Sequence, residues 1–183
     1  MGMVTKQQTA VLYNHDEAMI IHCTKKLAAK LPALANKPDE ETSPLGSWHA
    51  NLYIIDRHIV LLFCHDDTRY TLIMPGLRKR HFAELDRWFS ELFTAFLAYM
   101  GVADNQVRRA ELALGPIRFD TCTNRSVLGS LNQMKFMLDA RVREVEDVML
   151  LNPLSLTRWL SLPGECQRCE RILDGGRGDD RTG

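Results

Sequence analysis

Residues 120–147, DTCTNRSVLGSLNQMKFMLDARVREVED, follow the alternating pair Ile117 and Phe119 and change period within a few residues. Alternation at 117–121 reads as a strand, and Thr123-Asn124-Arg125-Ser126 as a polar turn. Val127, Leu131, Met134, Leu138, Val142 and Val145 then recur at three and four residues, which places them on one stripe of an α-helix. Asn124 or Ser126 supplies a side-chain oxygen for the unpaired amides of the first turn, so either serves as N-cap. Gly129 and Ser130, one turn in, are small enough for the helix to approach a sheet closely. The helix is expected to run to about Leu151, where Asn152-Pro153 stops it.

Working outward, the rest of the chain supplies the sheet. Ala18–Cys23 (AMIIHC) is an apolar run read as a strand, with Thr24 as N-cap of a helix over Lys25–Leu31. Residues 35–47 carry two prolines, a glycine and three acids, and form a loop. From Trp48 to Met74 the period is 2. Trp48–Ile55, Ile59–Cys64 and Arg69–Met74 are separated by short polar breaks and should form an antiparallel meander. Ile59–Cys64 (IVLLFC) is apolar on both faces and belongs at the centre. Leu77–Met100 reads as one helix with Phe82, Leu85, Phe89, Leu92 and Phe96 on its core stripe, ended by Gly101. A shorter helix from Asp104 to Leu114 precedes Gly115-Pro116. The class is therefore α+β: a mixed, mainly antiparallel five-stranded sheet with a central meander, packed by long helices. The expected organisation is a loosely held segment 1–17, a single domain 18–151, an appended helix 152–163, and a glycine-rich tail 164–183 with too few apolar residues to fold.

The totals exclude several classes. Twenty-three basic residues balance twenty-three acidic ones over 183 residues, so no global field draws the chain to nucleic acid or to an anionic membrane. No run reaches the roughly 18–20 apolar residues that cross a bilayer, and the N-terminus has no apolar stretch of the secretory type. Five cysteines, three of them in or beside strands, read as small hydrophobes of a reducing compartment, which points to the cytoplasm.

Four short strings, Thr24-Lys25-Lys26-Leu27, Trp48-His49-Ala50, Pro75-Gly76-Leu77 and Thr123-Asn124-Arg125-Ser126-Val127-Leu128-Gly129-Ser130-Leu131-Asn132, occur in that order. Together they resemble a bacterial domain family of unknown function, whose pattern carries Met where this chain has Leu131. The resemblance spans about residues 19–145 and leaves the chain after Val148 as an addition. It implies a fold and a bacterial cytoplasmic setting, and no reaction.

Among the residues themselves, the two strand-to-helix turns stand out. If strands 18–23 and 117–121 run parallel, both helix N-termini open at one sheet edge, where free amides and the helix dipole favour anions. Lys25, Lys26 and Arg125 add full charge, and with His49, Thr123, Asn124 and Ser126 they form a candidate anion-binding set. The plainer alternative is that these residues cap helices, the lysines are solvated, and Arg125 pairs with Asp120. His65-Asp66-Asp67 are three ligand types in a row but read as a polar β-turn. Cys166-Gln167-Arg168-Cys169 is half a zinc site without a second pair in the chain, so Cys166 and Cys169 could bind metal across a dimer or stay a reduced pair. No cofactor motif occurs.

Two functional readings follow. No nucleophile–base set is legible, the charge is neutral, and Leu154, Leu156, Trp159 and Leu160 would be an exposed apolar face if helix 152–163 found no groove. That favours a small non-enzymatic interaction or regulatory protein with a protein partner or a second copy of itself. The alternative is a binding protein or enzyme for a phosphorylated small molecule or nucleic-acid end.

Overall fold

The computed structural model describes residues 18–35, 42–144 and 148–160. Its five strands are β1 (Met19–Cys23), β2 (Trp48–Ile55), β3 (His58–His65), β4 (Thr71–Pro75) and β5 (Ile117–Asp120). They form one open sheet in the order β4-β3-β2-β1-β5. β2, β3 and β4 are the antiparallel meander, and β1 lies parallel to both of its neighbours, β2 and β5. The α+β reading holds.

Period 2 sorts each strand between two cores. On one face Met19, Ile21 and Cys23 join Ala50, Leu52, Leu61, Phe63 and Leu72. They are covered by Phe89, Phe93 and Phe96 of α3 (Leu85–Tyr99), with α4 (Asp104–Leu114) behind. On the other face Val60, Leu62, Cys64 and Ile73 pack under Val127, Leu131, Leu138 and Val142 of α5 (Arg125–Val142). β3 is buried on both sides, as its unbroken apolar run requires. The β2–β3 hairpin turns tightly through Asp56 and Arg57, at φ 47° and 63°, the left-handed pair whose twist matches the flanking strands.

Four expectations change. The helix read over 77–100 is two, α2 (Lys79–Ala83) and α3, because Glu84 leaves helical geometry at φ −128°, ψ 34°. The spacing of Phe82, Leu85 and Phe89 suits an unbroken helix and does not mark this break. α5 stops at Val142, where a tightened bond from the Glu144 amide to the Arg141 carbonyl closes it, and Val148 enters the same core from a 3-10 turn at Val148–Leu150. Gly129 faces outward with nothing among the described residues within 4 Å of a notional Cβ, so it is no close-approach point. The first helix is a single turn, α1 (Lys25–Ala28), rather than a run to Leu31.

The last helix, α6 (Pro153–Leu160), does find a groove. Leu156 and Leu160 are buried in the α5-side core, and Ile73 donates its outward amide to Thr157 Oγ1 at 3.3 Å. α6 thereby covers the free edge of β4, which would otherwise offer unpaired backbone groups. Segments 1–17 and 161–183, including Cys166 and Cys169, lie outside the described residues.

Leu131 is fully buried at the centre of the α5 contact, so Leu131→Ala should cost about 2–5 kcal/mol in chemical denaturation. Gly46 sits at φ +70°, and a Cβ there would come within 2.8 Å of His65 Nε2. That ring is fixed at both nitrogens, so Gly46→Ala should destabilise by at least about 1–2 kcal/mol from backbone strain alone.

Candidate functional site

The parallel register around β1 assembles a polar cluster on the α5 face. His22 sits opposite His49 of β2 and opposite Asp120 of β5. Neighbouring strands lie about 4.8 Å apart, and the rings of His22 and His49 are 4.8 Å apart between centroids. Because β5 leads through the polar turn into α5, the first turn of that helix stands at the same edge. β1 is where strand order reverses, with connections leaving to either side, and that is where crevices at the carboxyl ends of parallel strands form.

Each histidine is held by a carboxylate. His22 Nδ1 lies 2.6 Å from Asp120 Oδ1, which also accepts the Cys122 amide at 3.0 Å. Asp120 is buried, and its Oδ2 has no partner among the described residues. His49 Nδ1 lies 2.6 Å from Asp66 Oδ1, while Ser47 donates its hydroxyl to Asp66 Oδ2 at 2.8 Å. The other nitrogen of His49, Nε2, accepts the backbone amide of Asn124 at 2.7 Å. An amide can only donate, so the His49 proton resides on Nδ1 and points at Asp66. His49 is thus a neutral bridge between the turn after β3 and the turn before α5. The Nε2 of His22 makes no hydrogen bond among the described residues.

Burial alone would raise the Asp66 carboxyl, but the hydrogen bonds from His49 and Ser47 and the two nearby imidazoles outweigh it and hold it below its ordinary value. Cys23, one residue on, faces the opposite core, where burial and the Asp120 carboxylate push its thiol up to about 12. It is no thiolate nucleophile.

The residues proposed from sequence divide. His49 and Asn124 meet directly, and Asn124 Oδ1 caps the helix by accepting the Ser126 amide at 2.9 Å. Ser126 Oγ accepts Arg69 Nη2 at 3.2 Å, while Arg69 Nη1 is buried without a partner among the described residues. Thr123 and Arg125 are exposed at the same turn. Asp120 pairs with His22, not with Arg125. Lys25 and Lys26 are exposed on the single turn α1, whose preceding Thr24 makes no cap and instead donates its hydroxyl to Asn51 Oδ1 at 2.8 Å. His65, Asp66 and Asp67 diverge. His65 is buried on the far face, where burial lowers its pKa against the pull of the Leu45 carbonyl it donates to, and Asp67 is exposed. His22, Asp66, Asp120 and Arg69 were not in the sequence-derived set. Aligning the two strand-to-helix turns as parallel neighbours would have set His22 beside Asp120.

His22, His49 and Asp66 each bring a ligand atom to within 4.8 Å of the others, a set that could hold a metal ion. Of the apolar residues proposed as an interface, Leu156 and Leu160 are buried in the domain, Leu154 is partly buried, and Trp159 stays 44% exposed with Arg141 over its ring at 5.9 Å. No described helix is long and apolar enough to cross a membrane.

The folded pKa of Asp66 lies below its ordinary 3.8, so folding favours the ionised form; that stabilisation is present above pH 3.8 and is lost as pH falls through the lower folded value. Asp66→Asn should therefore lower stability at neutral pH and flatten the acid limb of a denaturation-midpoint series. An unchanged acid limb would show that the His49–Asp66 bond contributes nothing to folding.

The comparisons with known proteins add a family and no activity. No curated protein shows a significant match. A family model described as "Domain of unknown function (DUF6933)" matches residues 20–162, which takes in β2 to β5, all of β1 but Met19, the His22–His49–Asp66–Asp120 cluster and α6. The chain belongs to this DUF6933 family of unknown function.

Proposed function

We propose that the domain binds a small phosphate-bearing molecule at the edge of the sheet where β1 and β5 end, with the first turn of α5 receiving the phosphate. The observation that carries this reading is Arg69. Its guanidinium reaches Ser126 in the first turn of an 18-residue helix through Nη2, and its Nη1 is buried with no partner among the described residues. A buried guanidinium nitrogen beside a helix N-terminus is a donor set suited to phosphate oxygens. Asn124 takes the Ser126 amide, and the amides of Arg125 and Val127 have no intrahelical acceptor by position. Arg125 adds an exposed second guanidinium. His22, whose Nε2 on the same face has no partner among the described residues, is the group available to donate to or accept from the rest of the ligand.

A second reading, contact with a protein partner or another copy of the chain, draws support from large apolar side chains on the α5–α6 side. Phe136 and Leu150 are 74% and 75% exposed, with Met149 and Trp159 about half so. Leu150→Lys tested by sedimentation separates the two readings: a fall in mass supports self-association, and an unchanged monomer speaks against it.

Titrating the labelled protein with inorganic phosphate and then with a nucleoside monophosphate should shift the Arg125, Ser126 and Val127 amides. Arg69→Ala should weaken that binding by about tenfold or more, the loss of a charge-assisted hydrogen bond worth about 1.5–3 kcal/mol. Saturating phosphate that moves none of these amides would remove the reading.

A further inference from the structure

We infer that His22, His49 and Asp66 form a site for one first-row transition-metal dication, with Asp120 orienting His22 from behind. The inference stands on the cluster itself and does not require the phosphate reading. Two carboxylates, Asp66 and Asp120, lie on one face beside two imidazoles, and among the described residues neither is paired with a lysine or arginine. Asp120 is 4% exposed and leaves Oδ2 without a donor among the described residues. Such a group needs a cation close by to offset its desolvation. The pairing of His22 Nδ1 with a carboxylate, with Nε2 unpartnered among the described residues, is the arrangement by which a carboxylate fixes a metal-binding histidine. Two nitrogens and one oxygen suit zinc or its first-row neighbours better than calcium or magnesium, and three protein ligands leave a coordination position for water or an anion. That position would face the turn leading into α5.

The ligand atoms now span up to 4.8 Å, whereas bonds of about 2.0–2.2 Å around one ion bring ligands closer together. The site must contract, and the bond that yields is identifiable. Asp66 lies on the Nδ1 side of the His49 ring, so an ion held by both binds His49 through Nδ1, in place of the proton that Asp66 accepts. The ring proton then moves to Nε2 and faces the Asn124 amide, another donor. That ends the Asn124–His49 hydrogen bond. Metal binding is therefore coupled to the turn that launches α5.

The test uses the full chain carrying Cys122→Ser, Cys166→Ser and Cys169→Ser, which removes the exposed Cys122 thiol and the CxxC pair as competitors, stripped with chelator and titrated with zinc in phosphate-free buffer. One equivalent should bind, and the Asn124 amide resonance should move in step with it. His22→Ala should weaken binding at least tenfold, and Asp120→Asn, which keeps the shape, by about 10–100-fold. Circular dichroism of each variant confirms that it is folded. No binding by the folded protein, or binding indifferent to both His22→Ala and Asp120→Asn, overturns the site. Binding that leaves the Asn124 resonance in place overturns the coupling. Because phosphate is absent throughout, these outcomes are independent of the anion reading.

Discussion

His49 has no spare hydrogen-bonding capacity. Its ring is buried at the start of β2, donating to Asp66 on one side and accepting from the Asn124 amide on the other. Three segments far apart in sequence are joined through that one ring: the turn after β3, the strand β2, and the turn before α5. A neutral imidazole with one fixed proton accepts a backbone amide at one end of the ring and donates to a carboxylate at the other. Any change in the proton or ligand on His49 must therefore disturb one of those two turns.

The sheet divides labour between its faces. The α3 side is closed by an aromatic cluster in which Trp48 meets the edges of Phe89 and Phe93 at 5.3 and 5.9 Å. The α5 side carries apolar packing over β3 and β4, but toward the carboxyl ends of β1 and β5 the same face turns polar at His22 and Asp120. This follows from register: one residue further along β1, Cys23 enters the aromatic side while His22 enters the site. His65 and Asp66 show the same split at the end of β3, where one supports the fold and the next orients His49.

The charge of the cluster bears on what it can take. Two carboxylates would repel a phosphate, whereas the first turn of α5, with Arg69 and Arg125 near it, attracts one. A dication between the imidazoles and Asp66 would resolve that opposition, neutralising the carboxylates and offering an open position toward the helix end. The two proposals thus describe adjoining parts of one face.

Period and punctuation in the sequence determined the five strands, the meander, the polar turn at 123–126 and the buried stripe of α5, because each depends on residues within a few positions of one another. Length and polarity could not locate the break at Glu84 or the end of α5 at Val142, where local backbone geometry and not hydrophobic spacing decided. His49, Asn124, Arg125 and Ser126 were legible as candidates because they flank a helix start. His22 sat inside the apolar run AMIIHC, Asp66 inside a turn, and Asp120 looked like a partner for Arg125. Only the parallel alignment of β1 with β2 and β5 brought those side chains to one level on one face. Strand register between segments nearly a hundred residues apart is fixed by the packing of both cores at once, and no local pattern encodes it.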